Sequence, residues 1–217
     1  MPDLPDSPVS EAFDKVPQPT IERLSAFLQC VRGLRDEGRQ TASSAEIARR
    51  TGTGAAQLRR DLSYFGEFGT PGLGYDLAAL ETQLARIMGL DVERDVLLMG
   101  AGNLGRALSS YAGFGRRGFR IVAAFDSDES KVGTMGHIPV FHLTELSRRN
   151  TELGAQVGIV AVPVGSAQEA VDALVAAGVK AILNFAPTSI SVRAGITSRN
   201  VDLTSQMEIL SYYLRHS

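Results

Sequence analysis

The sequence predicts an α/β chain in which a parallel-sheet domain follows a smaller, mainly helical one. Three observations lead there. At VLLMGAGNLGRAL, residues 96–108, an apolar run and a G-x-G-x-x-G turn open an amphipathic segment. Strand-like apolar runs then alternate with helical patterns from about Asp95 to Pro187, as parallel sheets require. Ahead of them, residues 15–75 carry short helical patterns joined by glycine-bearing turns. A length of 217 residues fits two ordinary domains, and 44% hydrophobic against 21% charged residues supports packed cores.

From the N-terminus, the Pro- and acid-rich MPDLPDSPVSEAFD (1–14) reads as a frayed tail. PTIERLSAFLQCVRGLRDEG follows, with Ile21, Leu24, Phe27, Leu28, Val31 and Leu34 at helical spacing and a stop at Gly38. In TASSAEIARRTGTGAAQLRRDLSYFGEF, Ser43 and Glu46 form a capping box. TGTG breaks that helix, and a second runs from about Ala55 to Phe65. Two short helices about such a turn are a helix-turn-helix pattern. On the second, Ala55, Leu58, Leu62 and Phe65 share the core side, while Gln57, Arg59, Arg60, Ser63 and Tyr64 face away. Arginine grips guanine bidentately, glutamine reads adenine and hydroxyls reach phosphates. GEFGTPGLGY then has the form of a hairpin, the wing of a winged helix. Net charge is −2 over the whole chain, and only a small basic excess lies in this region. Local rather than global charge must therefore serve any nucleic-acid contact.

The glycine turn belongs to a Rossmann-type domain. Val96 to Met99 suit a strand buried on both faces. Gly100 permits the tight turn, Gly102 leaves room for a pyrophosphate, and Gly105 lets helix and strand approach. About twenty residues on, FRIVAAFDSDESKVG is a second strand ending at Asp126. A carboxylate there accepts from ribose hydroxyls and repels a 2′-phosphate. Ser127 rather than an arginine follows, favouring NAD(H) over NADP(H). QVGIVAVP, ending at Pro163, and AAGVKAILNFAP are the third and fourth strands. Gly100, Ala101, Gly102, Asn103, Leu104, Gly105, Asp126 and Pro163 are thus candidate dinucleotide residues.

Groups that would use the dinucleotide chemically are hard to find. His137, His142 and His216 have no acid partner nearby in sequence, and they form no metal spacing with the single cysteine, Cys30. Cys30 sits in an apolar run and reads as a small buried hydrophobe. Lys180 and Arg193 read as surface charge. No apolar run reaches the length of a membrane span, and a reducing cytoplasm is expected. The alternatives are a small NAD-dependent oxidoreductase with an accessory helical domain, and a nucleotide-binding interaction module, perhaps holding coenzyme A.

KVPQPTIERL, the stretch TASSAEIARRTGTGAAQLRRDLSYFGEFGTPGLGY, the glycine turn, FDSDESKVG, ILNFAP and NVDLTSQMEILSYYL together resemble the Rex redox-sensing transcriptional repressors of bacteria. The resemblance runs from about Lys15 to the C-terminus. It implies a homodimer that binds palindromic operator DNA and is released by NADH, with NAD⁺ much less effective. It implies a winged helix at 15–78, a Rossmann domain at 79–203 and a C-terminal helix at 204–217 swapped between subunits, with Met207, Leu210 and Leu214 on one side. It places Tyr111 and Asp202 near the nicotinamide, with Leu203 pressing toward that ring. Two positions depart from the family pattern. Gln29 stands where an arginine usually meets the residue matching Asp202, with Arg32 one turn on as a substitute. Pro71 stands in the wing where a basic residue is usual.

Overall fold

Helical spacing of apolar residues predicts one buried stripe, and the first helix has it. In the computed structural model, which describes residues 16–69 and 73–216, α1 spans Gln18–Asp36. Leu24, Phe27, Leu28, Val31 and Leu34 are buried as expected. Ile21 is not: it stays 42% exposed, and Thr20 is buried instead. The reason lies across the domain, where the Thr20 hydroxyl serves a buried carboxylate, Asp61. The N-terminal tail and Pro71 fall outside the described residues.

Strand β1 (Thr41–Ala42) precedes α2 (Ser44–Thr51). The Ser43 hydroxyl accepts the Glu46 N–H at 3.1 Å, capping α2. Only this half of the capping box forms, because the Glu46 carboxylate turns to Arg39. Gly52, at φ +69°, ends α2 in the left-handed region that glycine adopts freely. Helix α3 follows at Ala55–Ser63, stopping before the expected Phe65. Leu58 and Leu62 are buried, with Ala55 and Phe65 packed on the same core.

Strand β2 (Tyr75–Asp76) pairs antiparallel with β1, Thr41 opposite Asp76 and Ala42 opposite Tyr75. The partner of this strand thus lies ahead of α2 and not within 66–75, where the hairpin reading put it. The described limbs of that stretch still fold against each other. A Cβ on Gly69 would stand 2.8 Å from both the Gly74 carbonyl oxygen and the Tyr75 ring.

Helix α4 (Leu77–Ile87), capped by Asp76, buries Leu77, Leu80 and Leu84 in the core that α1 begins. The chain divides into units at Asp91/Val92. The boundary expected at 78/79 therefore cuts α4, whose leucine stripe needs the α1 core. Arg32 Nε pairs with Glu81 of α4 at 3.0 Å, and Arg35 joins the same carboxylate.

The second unit is built on β3 (Arg94–Met99), α5 (Asn103–Ser109), α6 (Ala112–Gly115), β4 (Phe119–Asp126), β5 (Gly133–Met135) and β6 (Ile138–His142). Then come α7 (Leu146–Leu153), β7 (Val157–Val160), α8 (Ala167–Ala176), β8 (Ala181–Asn184), β9 (Thr197–Asn200) and α9 (Leu203–His216). The sheet order is β5-β6-β4-β3-β7-β8-β9, parallel throughout except β5 against β6. Along β3 the pleat alternates. Leu97 and Met99 pack on the α7–α8 side with Leu146 and Leu174, while Val96 and Leu98 pack on the other with Leu108 and Phe114. Sequence periodicity finds four of the seven strands. It misses β9, Thr-Ser-Arg-Asn, and the β5–β6 hairpin, because short polar edge strands carry no apolar run. Among the described residues, no helix is long and apolar enough to cross a membrane.

Candidate functional site

The chain leaves β3 toward β4 on one side and toward β7 on the other, so the strand order reverses beside the β3 C-terminus. Crevices for ligands form at such switch points. Here a cleft of about 500 Å³ opens, lined by Gly100, Gly102, Asn103, Leu104, Asp126 and Pro163 together with Phe125, Lys131, Phe185 and Pro187. That size suits small-molecule and cofactor sites.

Each glycine of the turn has a distinct duty. Gly100 adopts φ +101°, and a Cβ there would lie 2.5 Å from the Ala161 carbonyl oxygen. A Cβ on Gly105 would lie 2.0 Å from the Gly100 carbonyl oxygen, so helix and turn touch backbone to backbone. Around Gly102 no protein atom lies within 4 Å of a built Cβ, which leaves free space over the backbone. Gly102 precedes α5 without any side-chain cap, the arrangement that suits a phosphate.

Asp126 closes the far end of the cleft. Its Oδ2 accepts the Ala101 N–H at 2.8 Å and its Oδ1 the Asp128 N–H at 2.9 Å. Lys131 Nζ sits 3.1 and 3.2 Å from the two oxygens. Burial alone would push the carboxyl up, but the two backbone donors and the Lys131 ammonium outweigh it and hold it below the usual aspartate value. Ala101 is buried in the turn and contributes through this N–H. Periodicity and motif spacing missed Lys131. The signal was present, since FDSDESK puts a cation in the same turn as the acid, but a lysine there reads as surface charge.

These groups fit the adenosine end of a dinucleotide. A ribose hydroxyl would compete with Lys131 for Asp126, and a 2′-phosphate would meet the carboxylate first. Asp126→Ser is expected to weaken NADH by about 1.5–3 kcal/mol, the worth of hydrogen bonds to a charged group. It should also narrow the preference over NADPH, because Lys131 is then free for a phosphate. Titrating both nucleotides into the variant checks this; a preference as wide as in wild type would count against Asp126 as the discriminator.

Three expected residues lie elsewhere in the second unit. Tyr111 folds over Gly113, edge to Phe114 with ring centroids 5.2 Å apart, and lines an apolar groove on the sheet face outside the glycine cleft. Asp202 accepts the Thr204 and Ser205 N–H groups at 2.9 and 3.2 Å, capping α9. Leu203 begins that helix, 65% exposed. Within one chain the structure therefore does not bring these three to the cleft.

In the first unit, Gln57, Arg59, Arg60, Ser63 and Tyr64 are all exposed on and just beyond α3. Their engagement differs. Arg59 Nη1 donates to the Ser44 hydroxyl at 2.8 Å, and the Ser63 hydroxyl donates to the Arg60 carbonyl at 2.8 Å. Gln57 Nε2 donates to buried Asp61 at 2.9 Å, and the Arg60 guanidinium makes no hydrogen bond or ion pair among the described residues. The fully buried Asp61 escaped the helical-face reading, because an acid among arginines reads as solvated.

Comparison with known proteins agrees with this geometry. A family model described as a CoA binding domain matches residues 91–188, and one described as a DNA-binding protein N-terminus matches 15–63. The redox-sensing transcriptional repressor Rex of Syntrophomonas wolfei is 46% identical over 92% of this chain and 96% of its own length. Rex of Streptomyces coelicolor is 42% identical over 91% of this chain and 77% of its own. Among solved structures, RSP in complex with β-NAD⁺ and operator DNA superposes with a TM-score of 0.87 at 32% identity, covering 93% of each chain. RSP in complex with β-NADH gives 0.85 at 30% identity, covering 93% of this chain and 95% of that one. RSP is itself a Rex-family repressor. With a winged helix carrying an exposed polar face and a Rossmann cleft built around Asp126, this chain belongs to the Rex family of redox-sensing transcriptional repressors.

Proposed function

We propose that this chain represses transcription by binding palindromic operator DNA as a homodimer, and that NADH releases it. One observation carries the reading. An exposed Gln57–Arg59–Arg60–Ser63–Tyr64 face and a glycine-turn cleft with an ionised Asp126 occur in one polypeptide. The dinucleotide is a signal, and no chemistry is performed on it. Among the described residues the cleft is lined by no histidine, which fits a sensor better than a hydride-transfer enzyme needing a proton donor. The relatives that bind operator DNA, β-NAD⁺ and β-NADH support the same ligands here. A protein working on operator DNA acts in the cytoplasm.

The mechanism is a population shift. NADH binds the DNA-incompetent dimer better than the competent one, and DNA weakens NADH by the same factor. Twofold symmetry sets the operator half-sites in successive major grooves. The deciding experiment titrates NADH and NAD⁺ separately into the protein bound to a labelled palindromic DNA pool. Binding abolished by NADH and largely spared by NAD⁺ is expected. Binding indifferent to both would remove the sensor reading, and no specific binding would return the oxidoreductase.

The dimer is supported by two complementary surfaces of the second unit. Helix α9 exposes Leu203, Met207, Leu210 and Leu214, the last at 82%. The sheet face outside the glycine cleft carries an apolar groove of about 350 Å³, lined by Phe114, Phe119, Ile121, Ile159 and Leu183 with Tyr111 at its edge. A soluble chain seldom leaves such a stripe in water, and exchange of α9 between protomers would bury stripe and groove together. Exchange would also carry Asp202 and Leu203 toward the partner's cleft. Leu210→Asp is expected to yield monomers by sedimentation and to lose operator binding with them. A dimer unaffected by that charge would rule out exchange through α9.

Arg32 is held by Glu81 and is poorly placed to replace the family arginine absent at Gln29. A bare Asp202 carboxylate near the nicotinamide would favour the cationic NAD⁺ ring, so neutralising it should raise the NADH preference. Gln29→Arg is accordingly expected to widen the ratio of NADH to NAD⁺ affinity. An unchanged ratio by calorimetry would reject that role.

A further inference from the structure

Helix α3 turns one carboxylate inward. Asp61 is fully buried, one helical turn beyond Gln57, and a buried charge needs partners from the elements around it. It has them from both α1 and its own helix. Arg23 donates from Nε to Oδ2 at 2.5 Å and from Nη2 to Oδ1 at 2.8 Å. The Thr20 hydroxyl donates to Oδ1 at 3.1 Å, and Gln57 Nε2 donates to the same oxygen at 2.9 Å. Burial pushes the Asp61 carboxyl up, but hydrogen bonds from Arg23, Gln57 and Thr20 prevail and hold it below its ordinary range. The group is therefore an ionised carboxylate, which accepts and cannot donate.

That restriction passes to Gln57. A glutamine amide has an acceptor end and a donor end, and on an open helix surface either can face outward. Opposite an acceptor-only carboxylate the nitrogen must turn inward. The Oε1 and the second N–H are left on the exposed side, with no partner among the described residues. Adenine in the major groove asks for that pair, an acceptor for N6–H and a donor for N7. An amide nitrogen carries two hydrogens, so Asp61 can hold one while the other reads the base. Fixing the side chain beforehand also removes rotamer entropy that binding would otherwise cost, up to about 1.5–2 kcal/mol for a glutamine.

We propose that Asp61 is a specificity-determining positioning residue: by anchoring the Gln57 amide nitrogen, it makes Gln57 a reader of adenine at one position of each half-site. Arg23 and Thr20 act through it, keeping the carboxylate charged and in place. The inference rests on the reading of α3 as the DNA-recognition helix.

The test is selection from a randomised palindromic DNA pool by the full-length protein, with base preference read position by position. Wild type is expected to select adenine about tenfold at one position of each half-site, within the range for a bidentate base contact. Gln57→Ala should flatten that position alone. Asp61→Ala should flatten the same position although Gln57 is still present. Because Asp61→Ala leaves Arg23 without its partner, the double variant Arg23→Met with Asp61→Leu provides a fold-preserving second case, replacing the pair by apolar groups of similar volume. It too should lose the adenine preference while keeping the preferences elsewhere.

Adenine selection that persists in the Asp61 variants would overturn the proposal, as would a loss of affinity spread evenly over all positions, which a merely structural carboxylate would cause. Failure of Gln57→Ala to flatten any position would overturn it as well. If wild type selects no sequence at all, the recognition-helix reading falls and takes the inference with it, a result distinguishable from the others because it precedes any substitution.

Discussion

Arg60→Ala is expected to abolish operator binding and to leave NADH affinity unchanged. Arg60 is exposed on α3, and its guanidinium is uncommitted among the described residues, whereas Arg59 is held by the Ser44 hydroxyl. A free guanidinium on that helix can take guanine O6 and N7 at no cost in broken contacts. One such bidentate pair contributes about 1–3 kcal/mol of discrimination. A twofold dimer would lose it twice, about 2–6 kcal/mol, which is roughly 30-fold or more in operator affinity. Arg59→Ala should behave differently, weakening all sequences alike and lowering the salt slope by about one unit, as loss of a phosphate contact does. Fluorescence anisotropy on specific and scrambled duplexes, with NADH titrated in parallel, separates these cases. Joint loss of DNA and NADH binding by Arg60→Ala would mean that the substitution disrupts the fold and that Arg60 is not the contact.

Gly105→Ala should remove NADH binding while the first unit stays folded. The added Cβ would stand 2.0 Å from the Gly100 carbonyl oxygen, a distance no packing tolerates. Gly100 has no room to retreat. It is pinned by φ +101°, by the Ala161 carbonyl on its other side, and by the hydrogen bond from its N–H to the Phe125 carbonyl at 2.8 Å. The helix must therefore move away from the turn, which displaces the space over Gly102. Overpacking of this kind costs about 1–3 kcal/mol in stability, and a comparable loss in binding is roughly 5–150-fold. Calorimetry should show lower stability for the second unit and an NADH affinity reduced on that scale. Gly102→Ala is the control, because its Cβ meets no protein atom; it should fold normally and lose affinity only through crowding the ligand. Wild-type NADH binding by Gly105→Ala would refute the turn as the dinucleotide grip.

What the sequence determined by itself was local. Gly100, Gly102 and Gly105 at fixed offsets, a strand ending at Asp126, and the stripe Leu24–Phe27–Leu28–Val31–Leu34 are periodic or motif-bound features. Each reports on its own few residues, so each survives into the fold. Burial of Leu58 and Leu62 with Gln57, Arg59 and Arg60 outside followed from the same helical spacing.

Tertiary structure alone decided where charges and edges met. Asp61 is joined by Arg23 and Thr20, 38 and 41 residues away in sequence, and nothing in the local pattern of α3 separates a buried acid from a solvated one. The same holds for Arg32 and Arg35 on Glu81, which tie α4 to the first unit and move the boundary to Asp91. Strand β9 is polar and carries no hydrophobic signal; it is a strand because β8 offers it an edge to pair with. A lone carboxylate is a surface group until the fold supplies donors, and a polar segment is a loop until the fold supplies a neighbouring strand. Such partners are set by the three-dimensional packing of the chain.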